Sequence, residues 1–326
     1  MTSKKYLVTG GAGFIGAALV KRLAAEGHNV RVLDNFSRGD AHRLAGLREN
    51  VELISGDIRD GDAVRRSTEG VDSVIHLAYV NGTEFFYSQP ELVLDVGVRG
   101  MINVLDACRS EGVRELVLAS SSEVYQTPPT VPTPETVPLS VPDPHNPRYS
   151  YGGGKIISEL MALNYGRSGF DRVMIFRPHN VYGPVMGWEH VIPQLTLRLK
   201  RLCETRDDPV RLPIQGTGEE TRAFVFIDDF VDGVMILLHK GRHLGIYHIG
   251  TMDEAPISRI VELAAEYLGR KVEIVPGPSP EGGTLRRCPD ISKMSELGYK
   301  PGVSLREGLF RTMEWYLAHP SEHSKA

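Results

Sequence analysis

The sequence predicts an α/β protein: a doubly wound parallel sheet with a smaller C-terminal α/β lobe. Three observations predict it. Six short apolar runs, YLVT, VRVLD, VELIS, SVIHLA, ELVLAS and RVMIF, alternate with helical patterns such as AALVKRLAAEG and VRGMINVLDACRSEG. That alternation sets successive strands parallel, with helices covering both faces. The first run ends in glycines, in YLVTGGAGFIG, and opens into an amphipathic stretch. After Arg177 the rhythm loosens into scattered pieces, which fits a separate lobe.

The first strand meets its helix at Gly10, Gly13 and Gly16. Gly10 permits a tight turn, Gly13 carries no side chain to hold backbone away from a pyrophosphate, and Gly16 lets helix and strand pack closely. The helix N-terminus then offers free N–H groups and the positive end of its dipole to phosphates. The second strand, NVRVLD, ends on Asp34. A carboxylate there accepts hydrogen bonds from a ribose 2′-hydroxyl and repels a 2′-phosphate, so the expected cofactor is NAD rather than NADP. Arg38 is the one nearby cation suited to a 2′-phosphate and is read as secondary.

The fifth strand runs into Ser121 and Ser122, whose hydroxyls lie at the ligand-binding edge of such a sheet. Thr127 to Pro147 holds eight of the 21 prolines, which excludes a regular helix or central strand. It reads as a stiff loop walling the site. Next come Tyr151 and Lys155, spaced i, i+4 on one helix face. A phenol of pKa about 10 is a poor base at neutral pH, and a neighbouring ammonium lowers that pKa. Tyr151 then suits proton removal from a hydroxyl. Tyr149 lacks such a lysine.

In the last part, VIPQLTLRLKRL, ISRIVELAAEYLG and SLREGLFRTMEWYLA read as helices, and VRLPI, AFVFIDD and KVEIV as strands. The predicted division is 1–176 for the nucleotide-binding domain, rejoined by 222–243, and 177–326 for the substrate lobe.

Composition narrows the function. The 326 residues are 41% hydrophobic and 24% charged, with a net charge of −4, which predicts no nucleic-acid or anionic-membrane partner. No apolar run approaches the ~20 residues of a membrane helix. The strand that starts at once after Met1 leaves no room for a signal peptide. Cys108, Cys203 and Cys288 lack metal spacing; reduced thiols, no metal and a cytoplasmic location are expected.

TGGAGFIG, LDNFSRG, GDIRD, VIHLA, SSSEVY, YGGGK, RPHNVYGP and TRAFVFIDD occur in that order. Together they resemble the extended short-chain dehydrogenase/reductase family of nucleotide-sugar epimerases and dehydratases, which have a Rossmann domain. The resemblance implies that Gly10, Gly13, Phe14, Ile15 and Gly16 hold the pyrophosphate of NAD. It places Asp34, Asn35, Ser37 and Arg38 at the adenosine ribose, Asp57 and Ile58 at the adenine, Leu77 and Ala78 along the cofactor, and Pro178 at the nicotinamide. Ser121, Tyr151 and Lys155 match the catalytic hydroxyl, tyrosine and lysine, and Tyr151 and Lys155 also face the cofactor. Asn180, His190, Val191, Arg222 and Arg287 match positions that bind the nucleotide sugar; Asn81 and Ser122 join them.

Three positions depart from the family's pattern: Gly97 where an Asn often precedes V-x-G-T, Asn81 where UDP-galactose 4-epimerases carry Lys, and Ala223 where an Asp is usual. The implied reaction is epimerisation of a nucleotide-linked sugar at carbon 4 through a 4-keto intermediate. The alternatives are 4,6-dehydration, carbon-5 decarboxylation or 3,5-epimerisation through the same intermediate, and a non-catalytic NAD-binding regulator. Glu123 stands two residues beyond Ser121, on the same side if the backbone is strand-like, and is expected to bind substrate. Glu189, in GPVMGWEH, reads as a solvated loop charge. The contrary reading makes the two an acid/base pair, as Cys and Lys are at the matching positions of GDP-mannose 3,5-epimerases.

The family also implies a homodimer through helices Glu91–Ser110 and Tyr151–Tyr165. Leu94, Val98, Ile102, Leu105, Ile157 and Met161 could divide between core and interface; most sit at helical spacing, so core is the reading taken for each.

Overall fold

The computed structural model describes residues 3–47, 49–204, 208–278 and 284–319. The six apolar runs form β1 (Lys5–Thr9), β2 (Asn29–Asp34), β3 (Val51–Ser55), β4 (Ser73–His76), β5 (Glu115–Ala119) and β6 (Arg172–Pro178). They are parallel and ordered β3-β2-β1-β4-β5-β6, and a seventh parallel strand, Gly245–Ile249, closes the β6 edge. The order reverses between β1 and β4, which opens the ligand crevice above their C-terminal ends.

Strand alternation supplies two cores. Val8, Val32, Ile75, Val117 and Phe176 face one side, while Leu7, Leu33, Val74, Leu116 and Ile175 face the other. The first side is covered by α1 (Phe14–Ala25), which packs on the later helix Ile227–Lys240. Helix α2 (Gly61–Thr68) packs against a rod on the second side. After α3 (Thr83–Ser88), that rod runs as α4 (Pro90–Leu94), a π-helical turn Asp95–Arg99, and α5 (Gly100–Ser110). The predicted helix Glu91–Ser110 is thus interrupted by a wider turn around Gly97. The predicted Tyr151–Tyr165 helix is α6 (Ser150–Gly166).

Among the six apolar residues named on these helices, Leu105 is core. Leu94, Ile102 and Ile157 are 38%, 39% and 40% exposed, as is Leu160 at 54%, and Val98 and Met161 are half-buried. The core reading therefore fails for the first three. The helices bury one side on the sheet, and helical periodicity alone does not tell which apolar residues lie on that side.

The lobe holds α7 (Val191–Cys203), α9 (Ile257–Leu268), α10 (Ser292–Glu296) and α11 (Leu305–Ala318), α8 being Ile227–Lys240. Thr221–Ala223 sits between Glu254–Pro256 and Arg286–Arg287 in a small sheet, which sets Arg222 beside Arg287. Among the described residues no helix is long and apolar enough to cross a membrane.

Candidate active site

The glycine turn is built as a phosphate cradle requires. Gly10 has φ +71°, a conformation costly for other residues, and a Cβ there would meet the Ala78 backbone at 2.8 Å. A Cβ on Gly16 would overlap the Gly10 carbonyl oxygen. The open face of Gly13 begins α1 without any side-chain cap, which leaves its first N–H groups for a ligand. Asp34 is buried beside this turn. Its Oδ2 accepts from the Ala12 N–H and its Oδ1 from the Phe36 N–H, both at 2.9 Å. The carboxylate therefore also ties the loop carrying Ser37 and Arg38 to the glycine turn.

Asn35 donates to Asp57 at 2.9 Å and accepts from the Ser37 hydroxyl at 2.7 Å. The Arg59 guanidinium, foremost, holds the Asp57 carboxyl well below its usual range. Ile58 is buried under Gly100, and Leu77 and Ala78 are half-buried at the end of β4, across from the glycines. Phe14 and Ile15 open α1, and Pro178 ends β6 beside Ile249. The glycine turn, Asp34 and Leu77–Ala78 gather at the C-terminal ends of β1, β2 and β4, where such a sheet takes a dinucleotide.

Beyond β5 the chain does not continue as a strand. Ser122–Val124 is a 3₁₀ turn capped by Ser121, whose Oγ accepts from the Glu123 N–H at 3.1 Å. The expectation that Glu123 follows Ser121 on strand-like backbone is corrected here: the turn is tightened by its own serine cap. The Ser121 hydroxyl lies close enough to Tyr151 to act on its phenol. Burial pushes the Tyr151 phenol up, the Ser121 hydroxyl opposes this, and the Glu123 charge adds to it. Lys155 is buried and donates from Nζ to the Ala119 carbonyl at 2.7 Å. Burial lowers its pKa to about 7, against an opposing pull from Glu159. Ser121, Tyr151 and Lys155 thus come together, all buried, at the C-terminal end of β5.

Glu123 forms an ion pair with Arg287 of the lobe. Burial raises its pKa, but the charge and hydrogen bond of Arg287, then the charges of Arg148 and Arg222, outweigh it and leave the carboxyl below its usual range. Arg222 donates to the Thr284 and Thr221 carbonyls, each at 2.7 Å. Burial, with repulsion from Arg287, lowers it to about 10. Ser122 is buried in the 3₁₀ turn. Asn180, at φ +41°, reaches the Ala223 carbonyl at 3.3 Å, beside the same cluster.

Glu189 is exposed in its loop and still has a partner. It pairs with Arg38 Nη2 at 2.7 Å, while Arg38 also donates to the Asn81 carbonyl and lies over the Phe85 ring at 5.1 Å. Glu189 and Glu123 therefore have separate arginine partners. The structure draws Asn81, Arg38 and Glu189 into one group. His190 and Val191 start α7, with burial lowering the His190 pKa.

Residue types alone do not single out three neighbours. Phe86 stacks on Tyr151 at 4.9 Å, and Tyr79 meets the same ring edge-on at 5.1 Å. Arg148, on the turn Pro147–Tyr149, adds a third cation near Glu123. A sequence signal for Tyr79 existed in Gly97, whose missing side chain makes room for it.

Comparison with known proteins follows the same lines. Residues 6–250 match the family described as NAD dependent epimerase/dehydratase. UDP-glucuronic acid decarboxylase 4 of Arabidopsis thaliana is 33% identical over 310 residues, 94% of this chain and 67% of that protein. The crystal structure of a dTDP-glucose 4,6-dehydratase from Streptomyces venezuelae, with NAD and TYD bound, is 32% identical with a TM-score of 0.85, covering 98% of each chain. A UDP-glucose 4-epimerase from Thermotoga maritima, with UDP-glucose, is 29% identical with a TM-score of 0.84, covering 96% of this chain and 99% of that one.

Proposed function

The chain belongs to the NAD-dependent epimerase/dehydratase family, and from that premise we propose that it epimerises a nucleotide-linked sugar at carbon 4 through a 4-keto intermediate. The observation that carries the proposal is the Ser121–Tyr151–Lys155 grouping at the C-terminal end of β5. NAD, when bound, supplies the hydride acceptor and donor and a positive ring beside the site.

Gly10, Gly13, Phe14, Ile15 and Gly16 hold its pyrophosphate, and Asp34 with Asn35 its adenosine ribose. Tyr151 takes the proton of the 4-hydroxyl and later returns it. Ser121 passes that hydrogen bond between sugar and phenol. Lys155, whose Nζ lies 5.8 Å from the Tyr151 ring centroid, supplies the positive charge that opposes the burial of the phenolate. Asn180, His190, Arg222 and Arg287 bind the nucleotide sugar.

A second reading is carbon-5 decarboxylation of a nucleotide uronic acid. Glu123 beside Arg287, Arg148 and Arg222 favours it. One carboxylate among three guanidiniums leaves cationic surplus for a substrate carboxylate.

Incubation with UDP-, GDP- and dTDP-linked sugars and uronic acids in deuterated water separates the readings. An inverted carbon 4 without solvent deuterium supports epimerisation. Carbon dioxide release with deuterium at carbon 5 overturns it in favour of decarboxylation.

The domain division and the homodimer belong to the same proposal. The exposed Leu94, Ile102, Ile157 and Leu160 on neighbouring helices support pairing through α4 to α6.

A further inference from the structure

Tyr79 follows β4 and lies where no catalytic motif points. Its ring is 4.0 Å from Lys155 Nζ, nearer than the Tyr151 ring at 5.8 Å. Its hydroxyl is buried and has no hydrogen-bond partner among the described residues. A Cβ on Gly97 or on Gly154 would overlap that hydroxyl oxygen. Gly97 sits in the π-helical turn, a device often found at functional sites, and Gly154 sits on α6 between Tyr151 and Lys155. Two helices thus withhold side chains at the same point to admit one phenol.

We propose that Tyr79 is a positioning residue of this site: its ring face holds the Lys155 ammonium beside Tyr151, in a slot kept open by Gly97 and Gly154. A cation over an aromatic face is attracted by the ring quadrupole, and the attraction grows when water is excluded. Lys155 is therefore fixed by two contacts, the Ala119 carbonyl at its tip and the Tyr79 face along its side. The groups facing it are His76 from β4, Tyr79, the Ala119 carbonyl from β5, and Tyr151 and Glu159 from α6. Burial works against its charge and Glu159 works for it; the Tyr79 face adds to the second.

The two glycines are not equivalent. For Gly154 the hydroxyl oxygen is the one overlapping atom, with Tyr79 Cζ next at an ordinary 3.5 Å. For Gly97 the ring carbons overlap too. Removing the hydroxyl therefore makes room for a methyl at 154 and not at 97.

The test reads Lys155 directly, by NMR titration of protein labelled with 15N-lysine, with Lys155→Met to assign the resonance. Tyr79→Phe keeps the π face and leaves the midpoint within about 0.2 unit, while Tyr79→Met lowers it by about half to one unit. Gly154→Ala displaces the ring and lowers the midpoint as well; Tyr79→Phe/Gly154→Ala restores it. Turnover of Tyr79→Met falls with little change in KM. An unchanged or raised midpoint in Tyr79→Met, or a double variant no better than Gly154→Ala, overturns the inference. It rests on Lys155 belonging to the site, yet the titration needs no substrate. Failure of every nucleotide sugar to turn over would overturn the proposed function and leave this result standing.

Discussion

Glu123 and Arg287, 164 residues apart, form an ion pair that joins the turn after β5 to the small sheet of the lobe. The Glu123 charge acts on Tyr151, so the surroundings of that phenol depend on an arginine far along the chain. Thr284 reinforces it, accepting from Arg287 Nη2 at 3.2 Å.

Arg287→Met removes the main influence that holds Glu123 ionised. Burial then raises that carboxyl, and the acid limb of the kcat/KM profile moves to higher pH. KM for the nucleotide sugar rises with it. An acid limb at its wild-type position would remove Glu123 ionisation from catalysis.

Tyr151→Phe retains NAD and the fold but lowers turnover about a hundredfold or more, the scale of a lost general base. Steady-state rates beside a count of bound NAD check this. Turnover near the wild-type level would transfer the role to Tyr149.

Asp34→Ala weakens NAD binding and narrows the preference over NADP, because the ribose acceptor and the anionic repulsion leave together. The Ala12 and Phe36 N–H groups also lose their acceptor, so part of the loss is loop order. Calorimetric titration with each dinucleotide measures both effects. A wild type that prefers NADP would make Arg38 the deciding residue instead.

His179→Phe should make the protein more stable toward acid. Both ring nitrogens of His179 are buried without a hydrogen-bond partner among the described residues. Burial, then repulsion from His248, holds its pKa well below the usual range; burial likewise takes His248 to about 4. The unfolded chain binds a proton at each histidine below about pH 6.5, and the folded chain does not until far lower. Stability is therefore full above that pH and falls on acidification, by about 1.4 kcal/mol per unit for each such histidine. His179→Phe removes one proton from that slope. Urea unfolding at pH 6.5 and pH 5 tests it, and an equal drop in both proteins would refute it.

Ile157→Glu/Leu160→Glu places two charges on the exposed stripe of α6 and should give a monomer by light scattering at micromolar concentration. A wild type already monomeric there would end the dimer proposal.

The sequence by itself determined the parts governed by short spacings. Alternating apolar runs specify β1 to β6, because each strand's faces follow from a period of two. The glycines of TGGAGFIG specify the turn into α1, and the i, i+4 interval puts Tyr151 and Lys155 on one face. The seventh strand, Gly245–Ile249, escaped because it pairs with β6 far from it in the chain.

Only the tertiary structure decided how distant residues meet. Arg38 finds Glu189 151 positions away, and Glu123 finds Arg287. Tyr79 fits because Gly97 and Gly154, on separate helices, both leave room. It likewise decided which apolar residues of α4 to α6 stay exposed. Such contacts depend on how whole elements pack, and packing is a property of the assembled layers rather than of any local period.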